Sequence, residues 1–97
     1  MDGFKKVEAP EIVKLKAIGD QIKGQFIRIE PSTKYADGFA LAYSDNEKPK
    51  VTFINQVAKQ LFDTNSVKKG EEFCLIYTDD KEGGNGKYRV YELYLKE

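Results

Sequence analysis

The feature that most constrains the fold of this chain is the order of its short apolar segments. Five segments have the alternating or compact apolar pattern of β-strands, and they cover residues 21–30, 39–43, 50–54, 73–78 and 87–95. One segment between the third and the fourth has helical periodicity instead. It runs from Gln56 to about Phe62, with Asn55 as a suitable N-cap residue. The pattern therefore predicts five strands and one helix.

A helix between the third and the fourth of five strands is the element order of the OB fold. The sequence thus predicts an all-β protein, a closed five-stranded OB-fold barrel with one helix between strands 3 and 4. An SH3-like barrel is the alternative five-stranded arrangement, but it would lack a helix at that position. The first predicted strand also changes phase, because Phe26 lies on one face whereas Ile27 and Ile29 lie on the other. Such a change predicts a bulge in a bent strand, and Gly24 stands where bending costs least.

The residues before the first strand have no strict apolar period. We expect residues 1–18 to form an N-terminal arm, and residues 19–97 to form the barrel domain. Within the arm, residues 11–15 fit either a short helical turn or an extended segment lying on the barrel.

Composition limits the chemistry of the chain. Histidine, the commonest general base and zinc ligand, is absent, and Cys74 is the single cysteine. No serine or lysine has an activating partner that sequence can identify. We therefore expect no enzyme activity, no metal and no cofactor, with Cys74 as a small buried apolar residue. The chain has neither a signal peptide nor an apolar run long enough to span a bilayer, so we expect a cytoplasmic protein that does not contact a membrane.

The formal net charge is zero, with sixteen basic and sixteen acidic residues. Seven acidic and four basic residues follow Gly70, so the first seventy residues carry an excess of three positive charges. Because nucleic-acid binders usually carry a basic surface, any such surface on this chain must arise from the arrangement of its cations.

Three stretches carry a resemblance to a known family. They are residues 15–26 (LKAIGDQIKGQF), residues 67–77 (VKKGEEFCLIY), and the glycine-rich hairpin that leads into residues 88–95 (YRVYELYL). In this order they are similar to the opening, the glycine-acidic turn and the closing strands of phage or mobile-element OB-fold single-stranded DNA-binding proteins. The resemblance implies sequence-tolerant binding of single-stranded DNA during replication or recombination of a mobile genome. The neutral charge and the lack of an acidic tail depart from the pattern, and they imply modest affinity without tail-mediated recruitment.

OB barrels bind ligands on the face of strands 2 and 3, between the loops that join strands 1–2 and 4–5. A single strand requires aromatic faces for its bases and cations along its phosphates. The residues that meet these requirements in the predicted fold are Arg28, Lys34, Tyr35, Lys50, Thr52, Lys81, Lys87, Tyr88 and Arg89. Lys50 and Thr52 alternate with Val51 and Phe53, so we expect them to face outward.

Each of these assignments has a structural alternative. Tyr35 and Tyr88 are equally consistent with loop tyrosines that cover the barrel edge, and Lys50 and Thr52 with a solvated strand face. The acidic residues 79, 80 and 82 do not form an EF-hand loop, because Lys81 occupies a ligand position, and we expect solvated hairpin charges. The glycines of residues 83–86 precede a strand, not a helix, so they do not form a phosphate-binding loop.

Two other functions are consistent with the same barrel. A protein-interaction or assembly module would fit the zero net charge and the outward row of residues 90, 92 and 94 on the last strand. That row could pair with a second subunit, and a homodimer is then the expected oligomer. An oligosaccharide or a small metabolite would also use aromatic faces.

Overall fold

The computed structural model describes Gly3, residues 9–84 and residues 86–97. The predicted arm therefore lies partly outside the described residues, and Asn85 of the predicted glycine-rich hairpin lies outside them as well. The described elements are β1 (Glu11–Ile12), β2 (Gln21–Pro31), β3 (Phe39–Asp45), β4 (Lys48–Ile54), α1 (Gln56–Thr64), β5 (Glu72–Gly83) and β6 (Gly86–Leu95). The prediction of a mostly β protein with a helix between the third and fourth predicted strands is confirmed. No helix among these elements is long and apolar enough to cross a membrane.

The strands form a single sheet in the order β1-β4-β3-β2-β5-β6. β2 belongs to both halves of this sheet, because residues 21–25 pair with β5 and residues 25–31 pair with β3. The predicted bulge is present, as a register shift between Phe26 and Arg28. The bulge returns Ile29 to the core face, opposite the buried Leu41, so the expectation that Ile29 faces away from Phe26 is wrong. The extra residue at the bulge restores the alternation that the sequence pattern had lost.

Gly24 lets β2 and β3 approach each other closely at the bend. A Cβ atom at this position would overlap the carbonyl oxygen of Ser44 and would lie 2.8 Å from the ring of Tyr43. The backbone of Ser44 cannot move away, because it belongs to the ladder in which Ser44 pairs with Gln25. The glycine is therefore required by packing.

The expected closure of five strands into a barrel is not found in the hydrogen-bond pattern, since the sheet is open and has six strands. The outer edge of β4, which a closed barrel would pair with the last strand, pairs in parallel with β1. Beyond β1 the chain leaves β4 and crosses to the other end of the sheet. There the guanidinium group of Arg89 donates to the carbonyl oxygen of Leu15, and the Gly19 N–H donates to the carbonyl oxygen of Tyr77 at 2.7 Å. The described part of the arm is thus extended, and it bridges the gap between β4 and β6. We call this gap the seam.

The helix lies over the core at one side of the seam. The Asn55 side chain caps it by accepting a hydrogen bond from the Ala58 N–H at 2.9 Å, and it also donates to the carbonyl oxygen of Arg89 in β6 at 3.0 Å. Ala58 and Phe62 are buried, and the ring of Phe62 lies between those of Phe26 and Phe73, with centroids at 5.4 Å and 5.3 Å. The predicted helix is confirmed, and it continues two residues beyond Phe62.

The polar segment from Asp79 to Gly86 was predicted as the glycine-rich hairpin between the last two strands, and it consists mostly of paired strand. β5 and β6 continue past the core as a two-stranded ribbon, in which Asp80 pairs with Arg89 and Lys81 pairs with Tyr88. Backbone hydrogen bonds hold such a ribbon together without apolar side chains, so the polar composition concealed its strands. The molecule is accordingly elongated, with extents of 56 × 33 × 23 Å.

Candidate ligand cleft at the sheet seam

A cleft of about 410 Å³ opens at the seam. We call it the seam cleft. Four parts of the chain that are distant in sequence meet there: the arm, the β2–β3 loop, the end of β4 and the middle of β6. Its lining residues are Val13, Lys14, Leu15, Lys16, Tyr35, Gly38, Thr52, Phe53, Ile54, Asn55, Arg89 and Tyr91.

The charges in the seam cleft have one sign. Lys14, Lys16 and Arg89 contribute cations, and none of its lining residues in the described part of the chain carries a carboxylate. Lys14 and Lys16 are exposed, and they form no ion pair with the described residues. Arg89 is held more firmly, because its guanidinium carbon lies 4.8 Å from the centre of the Tyr77 ring while it donates to Leu15. The cleft therefore combines one fixed cation with two adaptable ones.

An aromatic pair, the exposed Tyr35 and the half-buried Phe53, forms one wall. Tyr35 is 46% exposed, and its ring meets that of Phe53 edge to face, with the centroids 5.1 Å apart. The Lys34 ammonium group lies 5.6 Å from the Tyr35 ring centre and 5.8 Å from that of Phe53. The Ser32 hydroxyl fixes this loop by accepting hydrogen bonds from the N–H groups of Lys34 and Tyr35. An aromatic surface with an adjacent cation is thus already formed.

The floor of the cleft is buried. Leu15, Ile54 and Tyr91 belong to the hydrophobic core, and Thr52 beside them has no exposed surface. Burial raises the pKa of the Tyr91 phenol, while its hydrogen bond to Arg89 and the charge of Arg89 act in the opposite direction. Arg89 therefore influences the electrostatics of the floor as well as the rim.

The expectation that Thr52 faces outward is wrong. Thr52 pairs with Leu41, and both residues are fully buried, so this phase of β4 points into the core. The opposite phase contains Val51 and Phe53, which the arm and Tyr35 partly cover. Alternation along a strand separates two faces but does not reveal which face other parts of the chain will cover.

Lys50 and Arg28 lie outside the seam cleft. The Lys50 side chain is only 21% exposed, and its ammonium group lies 3.3 Å from Asp45 and 3.5 Å from Glu11. The hydrogen bond to Asp45 is the main cause that raises the pKa of Lys50. Lys50 is therefore an inward-facing, paired lysine, and the expectation that it faces outward is wrong as well. Arg28 is exposed on β2, with its Nε 3.7 Å from Glu30.

The remaining predicted residues, Lys81, Lys87 and Tyr88, lie on the ribbon. Tyr88 is 38% exposed, and its ring packs over Gly83 on the opposite strand, where a Cβ atom would lie 3.1 Å from it. Because side chains alternate along a strand, Lys87 shares the face of Arg89 and Tyr91 whereas Tyr88 occupies the other face. Lys87 therefore lies on the face of β6 that continues the cleft, where it pairs across the ladder with Glu82, whereas Tyr88 does not lie on that face.

The sequence analysis missed several residues of the seam cleft. Lys14 and Lys16 flank Leu15, and that Lys-Leu-Lys alternation was the available signal for a segment with one buried and one cationic face. Phe53 was assigned to the face opposite the predicted ligand surface, and the buried Tyr91 was not selected as a site residue. Nothing in the local sequence indicates that these four residues surround one cavity.

A second cleft, of about 550 Å³, lies elsewhere on the same sheet, and we call it the mixed-charge cleft. It is lined by Lys23, Gly24, Gln25, Ser44, Asp45, Asn46, Glu47, Glu72, Phe73, Cys74, Tyr94, Leu95 and Lys96. Lys96 pairs with Glu72 at 3.1 Å, and Cys74 is half-buried there instead of fully buried. Within the described residues, no group of three or more metal-ligating side chains is close enough to hold a metal ion.

Comparison of the chain with protein-family models, with curated proteins and with solved structures finds no match. The functional argument therefore depends on the geometry and the chemistry of the clefts.

Proposed function

We propose that this protein binds single-stranded DNA in a sequence-tolerant manner through the seam cleft. The observation that carries the proposal is the composition of this cleft, in which three cations and three aromatic rings meet without a carboxylate among the described lining residues. Single-strand binders need little more than a positive track for phosphates and aromatic faces for bases. The process that it serves is then replication or recombination of a phage or mobile genome, and the compartment is the cytoplasm.

The zero net charge of the chain is compatible with this function because the cleft itself is lined by cations, without a carboxylate among its described lining residues. Several carboxylates are engaged away from the seam, as in the pairs of Lys50 with Asp45 and Lys96 with Glu72. Lys14, Lys16 and Lys34 are exposed around the seam cleft, and Lys87 lies on the ribbon face that continues it, where it pairs across the ladder with Glu82. Electrostatic attraction depends on such local fields more than on the sum of charges, since interactions decay over a Debye length of about 8–10 Å.

The sheet order supports an OB-type origin for this surface. The first four strands after the arm pair as an OB barrel requires, with the bent β2 shared between the two halves and the helix placed after β4. The difference is at the seam, where the arm occupies the edge of β4. We propose that the fold is an OB-type barrel whose last strand pairing is replaced by the arm, and that the opening left by this replacement is the ligand cleft.

A binding titration at several salt concentrations tests the proposal. If three to five of Lys14, Lys16, Lys34, Lys87 and Arg89 contact phosphates, log K for a single-stranded oligonucleotide should fall with log salt at a slope of roughly −2 to −3.5. Binding to duplex of the same sequence should be much weaker, because the bases are then unavailable for stacking. A lack of binding at low salt, or binding that does not depend on salt, would contradict the proposal.

A second function is favoured by the outer face of β6. Tyr94 is 53% exposed and Tyr88 is 38% exposed on this face, and β6 is the last strand of the sheet. A strand at a sheet edge can add a partner strand, so this row would suit an assembly module that forms a homodimer. Sedimentation of the wild type and of Tyr94→Ser distinguishes the two, because only the assembly function requires a dimer that this substitution dissociates.

A further inference from the structure

One carboxylate holds the turn that follows the two lysines of the arm. The Oδ2 atom of Asp20 accepts hydrogen bonds from the backbone N–H groups of Lys16 at 2.9 Å and of Ala17 at 3.0 Å. The Asp20 N–H donates to the carbonyl oxygen of Ala17 at 2.9 Å, and Gly19 has the positive φ, 102°, that the turn requires. Three hydrogen bonds thus close a turn that begins at Lys16.

The backbone around Lys16 is held on both sides. On the C-terminal side, the carbonyl oxygen of Asp20 accepts from the Tyr77 N–H at 3.0 Å, which joins the turn to the sheet. On the N-terminal side, the guanidinium group of Arg89 donates to the carbonyl oxygen of Leu15. The Lys16 side chain, in contrast, is exposed at the rim of the seam cleft and forms no ion pair with the described residues.

The charge of Asp20 and its hydrogen bonds act on binding in opposite directions. Asp20 is half-buried and does not line the seam cleft, but its carboxylate lies against the backbone of a residue that would meet a phosphate. Coulombic repulsion between this carboxylate and a phosphate opposes binding. The hydrogen bonds favour binding, because a cation that is already in place loses less conformational entropy when the ligand arrives. The two effects can therefore be separated by experiment.

We propose that Asp20 is a positioning residue, which holds Lys16 at the rim of the seam cleft so that the ammonium group meets a phosphate of the bound strand. This inference rests on the proposed function and adds to it the residue that pre-organises one phosphate contact. Asp20 does not touch the strand itself. Its favourable effect on binding therefore passes through Lys16 alone.

Two substitutions of Asp20 separate its charge from its hydrogen bonds. Asp20→Ala removes both, and its affinity for an oligothymidylate should fall by about two- to fivefold at 0.1 M salt, where the upper limit is loss of one phosphate contact. Asp20→Asn removes the charge and keeps an acceptor, so it should retain the wild-type affinity or exceed it. Loss of charge alone would raise the affinity of Asp20→Ala. Such a rise, or an equal loss of affinity in Asp20→Asn, would overturn the inference.

A double-mutant cycle with Lys16→Ala distinguishes positioning from a general loss of structure. In the Lys16→Ala background, Asp20→Ala should cause no further loss of affinity, although it should lower the melting temperature in both backgrounds. With Lys34→Ala, which removes a cation from a different loop, the two losses of affinity should add. An equal loss from Asp20→Ala in the presence and in the absence of Lys16 would overturn the inference. If Asp20→Ala does not fold, Asp20→Glu takes its place in the cycle, because it keeps the charge and displaces the acceptor by one methylene group.

Glu71→Ala is the matched control. Glu71 closes a similar turn, in which its Oε1 atom accepts from the Lys68 N–H at 2.9 Å, its N–H donates to the carbonyl oxygen of Lys68 at 3.0 Å, and Gly70 has a φ of 95°. None of these three residues lines the seam cleft. Glu71→Ala should therefore lower the melting temperature without lowering the affinity. A loss of affinity equal to that of Asp20→Ala would mean that any weakened turn impairs binding, and it would overturn the inference.

The outcomes separate this inference from the proposed function. If wild type binds the oligothymidylate but the cycle shows no coupling between positions 16 and 20, the positioning role is overturned while single-strand binding stands. If wild type does not bind the strand, the proposed function fails, and inorganic tripolyphosphate titrated against the amide resonances of Lys16 and Ala17 decides the inference. Shifts that Asp20→Ala abolishes would support positioning at an anion site. Equal shifts in both proteins, or none in the wild type, would overturn it.

Discussion

The seam cleft and the mixed-charge cleft lie on the same sheet, and the mixed-charge cleft is the larger, at about 550 Å³ against about 410 Å³. The seam cleft, although smaller, is the one whose lining carries a net positive charge. The larger cleft holds the carboxylates of Asp45, Glu47 and Glu72 against two lysines, whereas the described lining of the smaller one contains cations alone. Volume therefore does not favour one cleft as the site of the proposed anionic ligand, whereas the sign of the local charge favours the seam cleft.

The difference between the clefts originates in the segments that line them. The β3–β4 turn contributes Asn46 and Glu47, both with positive φ, and it brings acidic side chains to the mixed-charge cleft. The arm contributes Lys14 and Lys16 on either side of the buried Leu15, and it brings cations to the seam. Since each segment is a few residues long, substitutions at single positions can test the comparison.

The largest expected difference concerns the exposed tyrosine of each cleft. Tyr35→Ala should weaken single-strand binding by roughly five- to 150-fold, because one stacked base contributes about 1–3 kcal/mol. Tyr94→Ala, which removes a similarly exposed tyrosine from the mixed-charge cleft, should leave affinity unchanged. Fluorescence anisotropy with a labelled oligonucleotide measures both.

A melting experiment distinguishes loss of stacking from loss of structure. Tyr35→Ala removes one edge-to-face contact with Phe53 and should cost about 0.5–1.5 kcal/mol of unfolding free energy. Tyr91→Ala removes a buried ring and should cost about 3–5 kcal/mol. Should Tyr35→Ala destabilise the protein as much as Tyr91→Ala, the aromatic wall would be structural and the comparison of clefts would fail.

The next effect in size concerns the lysines. The double variant Lys14→Ala/Lys16→Ala removes two candidate phosphate contacts, so the salt slope should become shallower by about 1.4, and affinity should fall about 25-fold at 0.1 M salt. The matched variant Lys23→Ala/Lys96→Ala removes both lysines of the mixed-charge cleft and should change neither quantity. Equal losses in the two double variants would show that the strand responds to total charge and not to the seam.

A smaller effect separates the two faces of the ribbon. Lys87 lies in phase with Arg89 and Tyr91, so Lys87→Ala should reduce the salt slope by about 0.7 and the affinity about fivefold at 0.1 M salt. Lys81 pairs with Tyr88 on the other face, and Lys81→Ala should have little effect. The reverse order would place the strand on the outer face of the ribbon.

The smallest expected effect is electrostatic and concerns two buried phenols. Burial, with smaller contributions from Asp45 and Glu11, raises the pKa of Tyr43 to about 12, whereas Arg89 opposes the rise in the pKa of Tyr91. We expect Asp45→Asn to lower the pKa of Tyr43 and Arg89→Gln to raise that of Tyr91. A spectrophotometric titration of tyrosinate measures both shifts, and shifts of the same sign would contradict the charge difference between the two regions.

The raised pKa of Tyr43 also predicts how stability depends on pH. Between about pH 10, where an unfolded tyrosine ionises, and pH 12, the unfolded chain binds fewer protons than the folded one, so the free energy of unfolding falls as pH rises. Tyr43→Phe should make this fall shallower, and melting temperatures across that range measure it. An unchanged pH profile in Tyr43→Phe would show that another group causes the loss.

Local features of the chain were predictable from sequence because they depend on neighbouring residues. The helix follows from the apolar spacing and from Asn55, whose side chain caps the Ala58 N–H. The bulge in β2 follows from the shift of apolar phase near Ile27. The hairpin between the last two strands was predicted, but the continuation of both strands through its polar residues was missed, because polar side chains resemble those of a loop although the backbone pairs as a ladder.

The candidate site was predictable only in part. Tyr35 and Arg89 were selected from the sequence, and both line the seam cleft. Lys34, also selected from the sequence, lies beside the aromatic wall of this cleft. Thr52 and Lys50 were assigned to the wrong face of β4, because alternation alone does not show which face is covered. Lys14 and Lys16 were overlooked, because the path of the arm depends on its pairing with a strand far along the chain.

The sequence by itself determined the number and order of the core strands, the position and the cap of the helix, and the bend in β2. Each of these is set by side-chain periodicity, or by one residue acting on its neighbours. Tertiary structure alone decided that the edge of β4 pairs with the arm and not with β6, and that a cleft opens beside Thr52 as a result. Two strands with compatible edges compete for one row of backbone hydrogen bonds, and the outcome depends on the packing of the whole sheet.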